Sequence, residues 1–200
     1  MSEHMALENL TVLDLTRVLA GPFCTMMLAD MGANVIKIEV PKGGDDTRSY
    51  PPFRAKNLNG ERESVYFANI NRNKKGITLN LKAPEGKEIF KELVKKADIV
   101  VENYRPGVMD KLGLGYDVLK EINPRIIYAA VSGFGCYGPY HLRPGYDILA
   151  QAMGGMMSIT GSKGGEPTRA GSALGDILGG LHVTIGILAA VNARTITGKG

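Results

Sequence analysis

Asp176 stands between Gly175 and the apolar run Ile-Leu-Gly-Gly-Leu-His-Val-Thr-Ile-Gly-Ile-Leu-Ala-Ala-Val. At the start of an expected helix it reads first as an N-cap, a role that needs no catalysis. Gly179 and Gly180 weaken that helix, and they leave room beside its first turn for another backbone or a ligand. A carboxylate held beside such room can serve as a nucleophile, and a helix N-terminus favours its ionised form. The two readings are compatible.

Three other segments carry the residue types of a site. Asn71-Arg72-Asn73-Lys74-Lys75-Gly76 gathers cationic and amide donors just before a strand and reads equally as a solvated turn or a phosphate site. Gly133-Phe134-Gly135-Cys136-Tyr137-Gly138 fits G-x-G-x-x-G after a strand. Dinucleotide binding is nevertheless disfavoured, because Pro139 and Pro144 break the helix that this pattern must open, and no acid ends the next strand. The chain has three histidines and no ligand cluster, so His182 reads as a packed or hydrogen-bonded core residue and no metal site is expected.

The elements that must position these residues alternate between strand and helix. Leu10–Thr16 reads as a strand, Phe23–Met31 as a helix with Pro22 in its tolerant first turn, and Asn34–Val40 as a second strand, which together make a parallel βαβ unit. Residues 41–63 are rich in Gly, Pro, Asp and Arg and read as a long surface excursion. A strand is expected over Ile77–Leu81, then a helix opened by Pro84 with Ile89, Leu93, Val94 and Ala97 on its buried face. Strand Asp98–Glu102, short helices at Val108–Leu112 and Tyr116–Ile122, and strand Arg125–Val131 continue the alternation of a doubly wound, Rossmann-like α/β fold. Beyond Ser132 come Gly-rich turns, a helix over Tyr146–Met157, a hairpin-like stretch to Ser172 and the long helix from about Asp176. The turn-like Thr197-Gly198-Lys199-Gly200 should lead into another element.

Composition narrows the function classes. With 200 residues, 44% hydrophobic and 22% charged, the chain is expected to fold as one soluble domain. Cys24 and Cys136 lie far apart without a secretory signal, so they read as buried filler in a reducing cytoplasm. The net charge of +4 suits an anionic ligand, but the cations are interleaved with acids, unlike a nucleic-acid-binding arm. The most apolar stretch, Ile177–Val191, is shorter than a membrane span, so a buried helix and no membrane partner are expected.

Several ordered blocks together resemble the class III coenzyme A-transferase family, which includes formyl-CoA:oxalate and carnitine CoA-transferases and α-methylacyl-CoA racemases. They are VLDLTRVLAGPFCTMMLADMGANVIKIE at 12–39, NRNKKGITLNLKAPEGKE at 71–88, ADIVVENYRPGVMDKLGLGYD at 97–117, NPRIIYAAVSGFGCYGP at 123–139, GYDILAQAMGG at 145–155 and ALGDILGGLHVTIGILAA at 173–190. The resemblance implies that residues 1–200 are the CoA-binding α/β large domain, the N-terminal portion of a larger fold whose small domain and C-terminal return segment are not among them. It also implies an interlocked homodimer. By resemblance Asp176 is the nucleophile, acting on an acyl-CoA and a carboxylic acid through an acyl anhydride and an aspartyl-CoA thioester. The CoA contacts of the family fall on Leu19, Ala20, Leu79, Asn80, Leu81, Lys82, Asn103, Tyr104, Arg105, Lys111, Ser132, Gly133, Phe134, Gly135 and Cys136. Val40 replaces a cation found in some transferases, with Lys42 the nearby substitute. Racemases place a histidine where this chain has Tyr146, and a phenol of ordinary pKa near 10 is a poor base at neutral pH, which favours transfer. A third reading makes the chain a non-catalytic CoA-binding fragment or one subunit of a split enzyme.

Overall fold

The computed structural model describes residues 4–54, 60 and 62–200. Five strands form one parallel sheet: β1 (Thr11–Asp14), β2 (Asn34–Glu39), β3 (Lys75–Thr78), β4 (Ile99–Glu102) and β5 (Ile127–Ala130), in the order β3-β2-β1-β4-β5. Val12 pairs with Val35 on one side and Ile99 on the other, which puts β1 at the centre. This is a doubly wound α/β order, as expected, and its switch point lies between β1 and β4.

The helices are α1 (Ala20–Asp30), α2 (Val65–Ile70), α3 (Pro84–Val94), α4 (Val108–Leu112), α5 (Tyr116–Ile122), α6 (Asp147–Met153) and α7 (Leu174–Thr197). Strands covered on both faces can be apolar at every position, and the Ile-Val-Val-Glu of β4 is buried throughout. Val12, Ile99 and Val101 meet Cys24 and Leu28 of α1 and Ile187 of α7, whereas Leu13 and Val100 meet Phe90, Val94, Met109 and Leu119 on the opposite face.

Several expectations need correction. The third strand begins at Lys75, two residues before the expected Ile77. Helix α2 lies just past the long excursion and was not anticipated; the excursion itself falls partly outside the described residues. The buried stripe of α3 runs through Gly86, Phe90 and Val94, and Ile89 faces solvent, because the stripe centres on the bulkier phenylalanine. No strand forms over residues 160–172 among the described residues.

The basic segment at 71–76 is a largely exposed turn whose cations are paired, not an open phosphate site. Arg72 pairs with Asp30, and Asn73 donates to the same carboxylate at 2.8 Å. Lys74 reaches Asp14 Oδ2 at 3.0 Å with both side chains almost fully buried, and Lys75 donates to Asn34 Oδ1 at 2.8 Å. These cations are spent joining α1, β1 and β2. Burial alone would raise the Asp14 carboxyl, but Lys74 and Lys37 beside it hold it below the ordinary range.

Helix α7 also departs from expectation. It runs 24 residues, and its most apolar 18-residue stretch has a mean hydropathy of 1.8, enough by length and composition to cross a membrane, with only 17% of that stretch buried. One stripe nonetheless packs on the domain: an added Cβ at Gly180 would lie 2.4 Å from the Ala20 carbonyl oxygen, Thr184 and Ile187 are buried, and Arg194 pairs with Asp98 at 3.0 Å. His182 is exposed, its Nδ1 on the Leu178 carbonyl at 2.7 Å, so it is hydrogen-bonded but not a core residue. Cys24 is buried as expected; Cys136 is exposed.

Candidate active site

A cavity of about 600 Å³ opens at the carboxyl ends of β1, β4 and β5, where ligands bind in open parallel sheets. Arg17–Ala20 leave β1, Asn103–Pro106 leave β4 and Val131–Phe134 leave β5 to form three of its walls. The fourth wall is Arg143–Tyr146 with Leu149, Ala150 and Met153 of α6, and Gly175, Asp176 and Gly179 of α7 close the site. Gly133 and Gly145 cross backbone to backbone, and a Cβ on Gly133 would lie 2.3 Å from the Gly145 Cα. The G-x-G-x-x-G segment therefore serves a close approach between two walls, and no helix begins in it.

Asp176 is the third residue of α7, not its cap. Ala173 occupies the cap position without a side-chain bond, and the cap comes from another helix: Asp147 Oδ1 accepts from the Gly175 N–H at 2.7 Å and the Asp176 N–H at 3.4 Å. Gly175 allows this reach, because a Cβ there would lie 2.8 Å from the Ala150 Cβ. Gln151, itself buried, donates to Asp147 Oδ2 at 2.7 Å and accepts from the Ala170 N–H at 2.8 Å. Partial burial raises the Asp176 carboxyl above its ordinary pKa, and the neighbouring Asp147 charge raises it further. This opposes the helix N-terminus, which favours the ionised form. Burial also pushes the Tyr66 phenol up to about 12, with the Asp176 charge a second cause.

Gly179 faces open space in the cavity, while Gly180 faces backbone, so the adjacent glycines answer to the two causes the sequence reading named. Arg17, Arg105 and Arg143 supply positive charge to the rim, with the Arg143 guanidinium 4.1 Å over the Tyr140 ring. The Ser132 hydroxyl is buried without a partner, an unmet polar group in the lining.

Of the residues singled out from the sequence, Leu19, Ala20, Asn103, Tyr104, Arg105, Ser132, Gly133, Phe134 and Asp176 come together in this cavity. Leu79, Asn80, Leu81 and Lys82 follow the edge strand β3 outside it, with Leu81 buried in the core. Lys111 is exposed on α4, and Gly135 and Cys136 lie exposed beyond the lining. Val40 and Lys42 border a separate concavity of about 480 Å³ with Arg17 and Arg48. Arg17, Val18, Arg143 and Asp147 were missed. The first two follow the central strand at the switch point, a signal the strand order provides.

Residues from Arg17 to Gly179 line this site, and comparison with known proteins agrees with its architecture. A CAIB/BAIF family protein from Brucella suis superimposes with a TM-score of 0.94 at 46% identity, over 99% of this chain and 52% of that one. The acetyl-CoA:oxalate CoA-transferase of Acetobacter aceti is 50% identical over 194 residues, 96% of this chain and 48% of that protein. The succinyl-CoA:glutarate CoA-transferase of Mus musculus is 50% identical over 195 residues, 97% of this chain and 43% of that protein. The chain thus spans about half the length of the curated relatives it matches. With the family model matching residues 7–200, the chain belongs to CoA-transferase family III.

Proposed function

We propose that this chain is the acyl-CoA-binding part of a CoA-transferase in which Asp176 is the nucleophile. The observation that carries the reading is a partly buried carboxylate facing a cavity at the switch point of the sheet, in a chain of this family. Arginines at the rim suit the phosphates of CoA and the carboxylate of an acceptor. Asp176 attacks the thioester carbonyl carbon, forming an acyl-aspartyl anhydride and releasing CoA thiolate. The thiolate attacks the aspartyl carbonyl, giving an aspartyl-CoA thioester and the free donor acid. The acceptor carboxylate attacks that thioester to form a second anhydride and thiolate, and thiolate attack on its acyl carbonyl yields the new acyl-CoA and restores Asp176. The Asp147 cap and Gly175 position the carboxylate for the first step. The complete enzyme is proposed to be an interlocked homodimer that includes the small domain and return segment.

Asp176→Asn in the intact protein is expected to lower transfer by roughly three orders of magnitude or more while CoA still binds. Mass spectrometry after incubation with acyl-CoA should find a covalent CoA adduct on the wild type and none on the variant. Turnover retained by the variant would falsify the nucleophile. Racemase chemistry has less support, since Tyr146 holds the place of the expected base and the curated relatives above are named transferases. Deuterium entering the α-carbon of an acyl-CoA at a catalytic rate would reinstate it.

A further inference from the structure

The turn that follows β1 is held one backbone group at a time by side chains of β1 itself, β2 and two loops. The Thr16 N–H donates to Asp14 Oδ1 at 2.9 Å, and the Thr16 carbonyl accepts from Lys37 Nζ at 2.8 Å. The Asn103 amide holds both backbone groups of Arg17, accepting from its N–H at 2.9 Å and donating to its carbonyl at 2.7 Å. The Val18 N–H donates to Asp45 Oδ1 at 3.2 Å. Val18 has a φ of 69°, in the left-handed region that a β-branched side chain strongly disfavours. Such a conformation persists only where its surroundings over-determine it.

Asp45 is equipped for that task. Its Oδ2 meets Lys37 Nζ at 2.9 Å, with the two side chains 1% and 2% exposed. Its own N–H donates to Glu39 Oε2 at 2.8 Å, and its Oδ1 also accepts from the Thr47 N–H at 3.0 Å and hydroxyl at 2.8 Å. The far end of the turn is pressed home at Gly21, where an added Cβ would lie 2.4 Å from Thr16 Cγ2. The same turn gives Arg17, Val18, Leu19 and Ala20 to the cavity wall.

We propose that Asp45 is a positioning residue: braced by Lys37 on one oxygen and holding Val18 with the other, it keeps the Arg17–Ala20 turn in the strained shape that acyl-CoA meets. The inference rests on the reading of the cavity as an acyl-CoA site. A turn released to relax presents that shape for only part of the time, and apparent affinity falls by the same fraction.

The test is calorimetric titration of the intact protein with CoA, alongside steady-state transfer. Wild-type protein that binds no CoA overturns the site assignment, and this inference with it. Where wild type binds, the double variant Lys37→Met, Asp45→Ala removes both buried charges together, so neither is left uncompensated. It is expected to bind CoA about tenfold more weakly and to raise KM for acyl-CoA with little change in kcat. Adding Val18→Gly, which adopts the left-handed φ without help, is expected to return affinity to within about threefold of wild type. General structural damage would not be repaired by a glycine in the turn. Wild-type affinity in the double variant, or a loss that Val18→Gly leaves unrepaired, overturns the proposal. Should the double variant not fold, Val18→Gly alone decides. Relief of strain at the left-handed φ of Val18 then raises the melting temperature, and a lowered melting temperature shows an unstrained turn and overturns the proposal.

Discussion

Asp176 carries two demands that pull against each other. It must be ionised to attack, yet burial and Asp147 favour its protonated form. The acid limb of transfer is therefore expected above the ordinary aspartate value of about 3.9, with rate rising as pH rises through it. Because the folded-state pKa is raised, the contribution of Asp176 to stability is full below the unfolded value and is lost as pH climbs through the folded one. Thermal melts should accordingly show Asp176→Asn gaining on wild type over that climb. A limb at or below the ordinary value, or a variant that melts lower at neutral pH, would contradict the assignment. The nucleophile role proposed for Asp176 comes from the family resemblance, while its place beside open space was legible in the sequence because a short acid precedes two glycines at a helix start. Its true surroundings were not, since Asp147 reaches it across a separation of 29 residues and only tertiary packing brings them together.

Gly179 and Gly180 show how one helix can answer to two environments. Alanine at 179 meets open space and is expected to stabilise the fold by up to about 1 kcal/mol through helix propensity. Alanine at 180 must displace the Ala20 carbonyl of α1 and is expected to destabilise by about 1–3 kcal/mol. Denaturant melts of the two variants should move in opposite directions, and a common sign would mean that α7 does not cross α1 at this point. The alternation of strands and helices was readable because β1, β2 and β4 carry apolar side chains on both faces and α3 has one buried stripe. The parts that escaped were those where side chains leave their own element. The cations of 71–76 resembled a free phosphate site until their partners on α1, β1 and β2 came into view. Helix α7 looked like a core helix because its sequence records apolar character but not what covers it.

At the scale of the molecule, α7 leaves Leu178, Ile185 and Ile196 exposed at 42%, 55% and 84%. A chain that spans about half the length of its relatives needs something to cover this stripe, and in the proposed homodimer the remaining protein or the second subunit does so. Ile185→Glu in the intact protein is expected to lower the dimer fraction in sedimentation at a given concentration; an unaltered fraction would take Ile185 out of the subunit interface. The central place of β1 has a consequence for synthesis. Of these five strands β1 is made before the others, and its pairing with β2, and that of β2 with β3, can be complete once residue 78 has emerged. Its other edge waits for β4, and the Thr11 N–H bond to Asp98 spans 87 residues. While the ribosome adds residues 79–98, the nascent protein carries a half-sheet whose open edge is the middle of the finished one. The segment most exposed to wrong pairing during translation is thus the one most deeply enclosed in the folded protein.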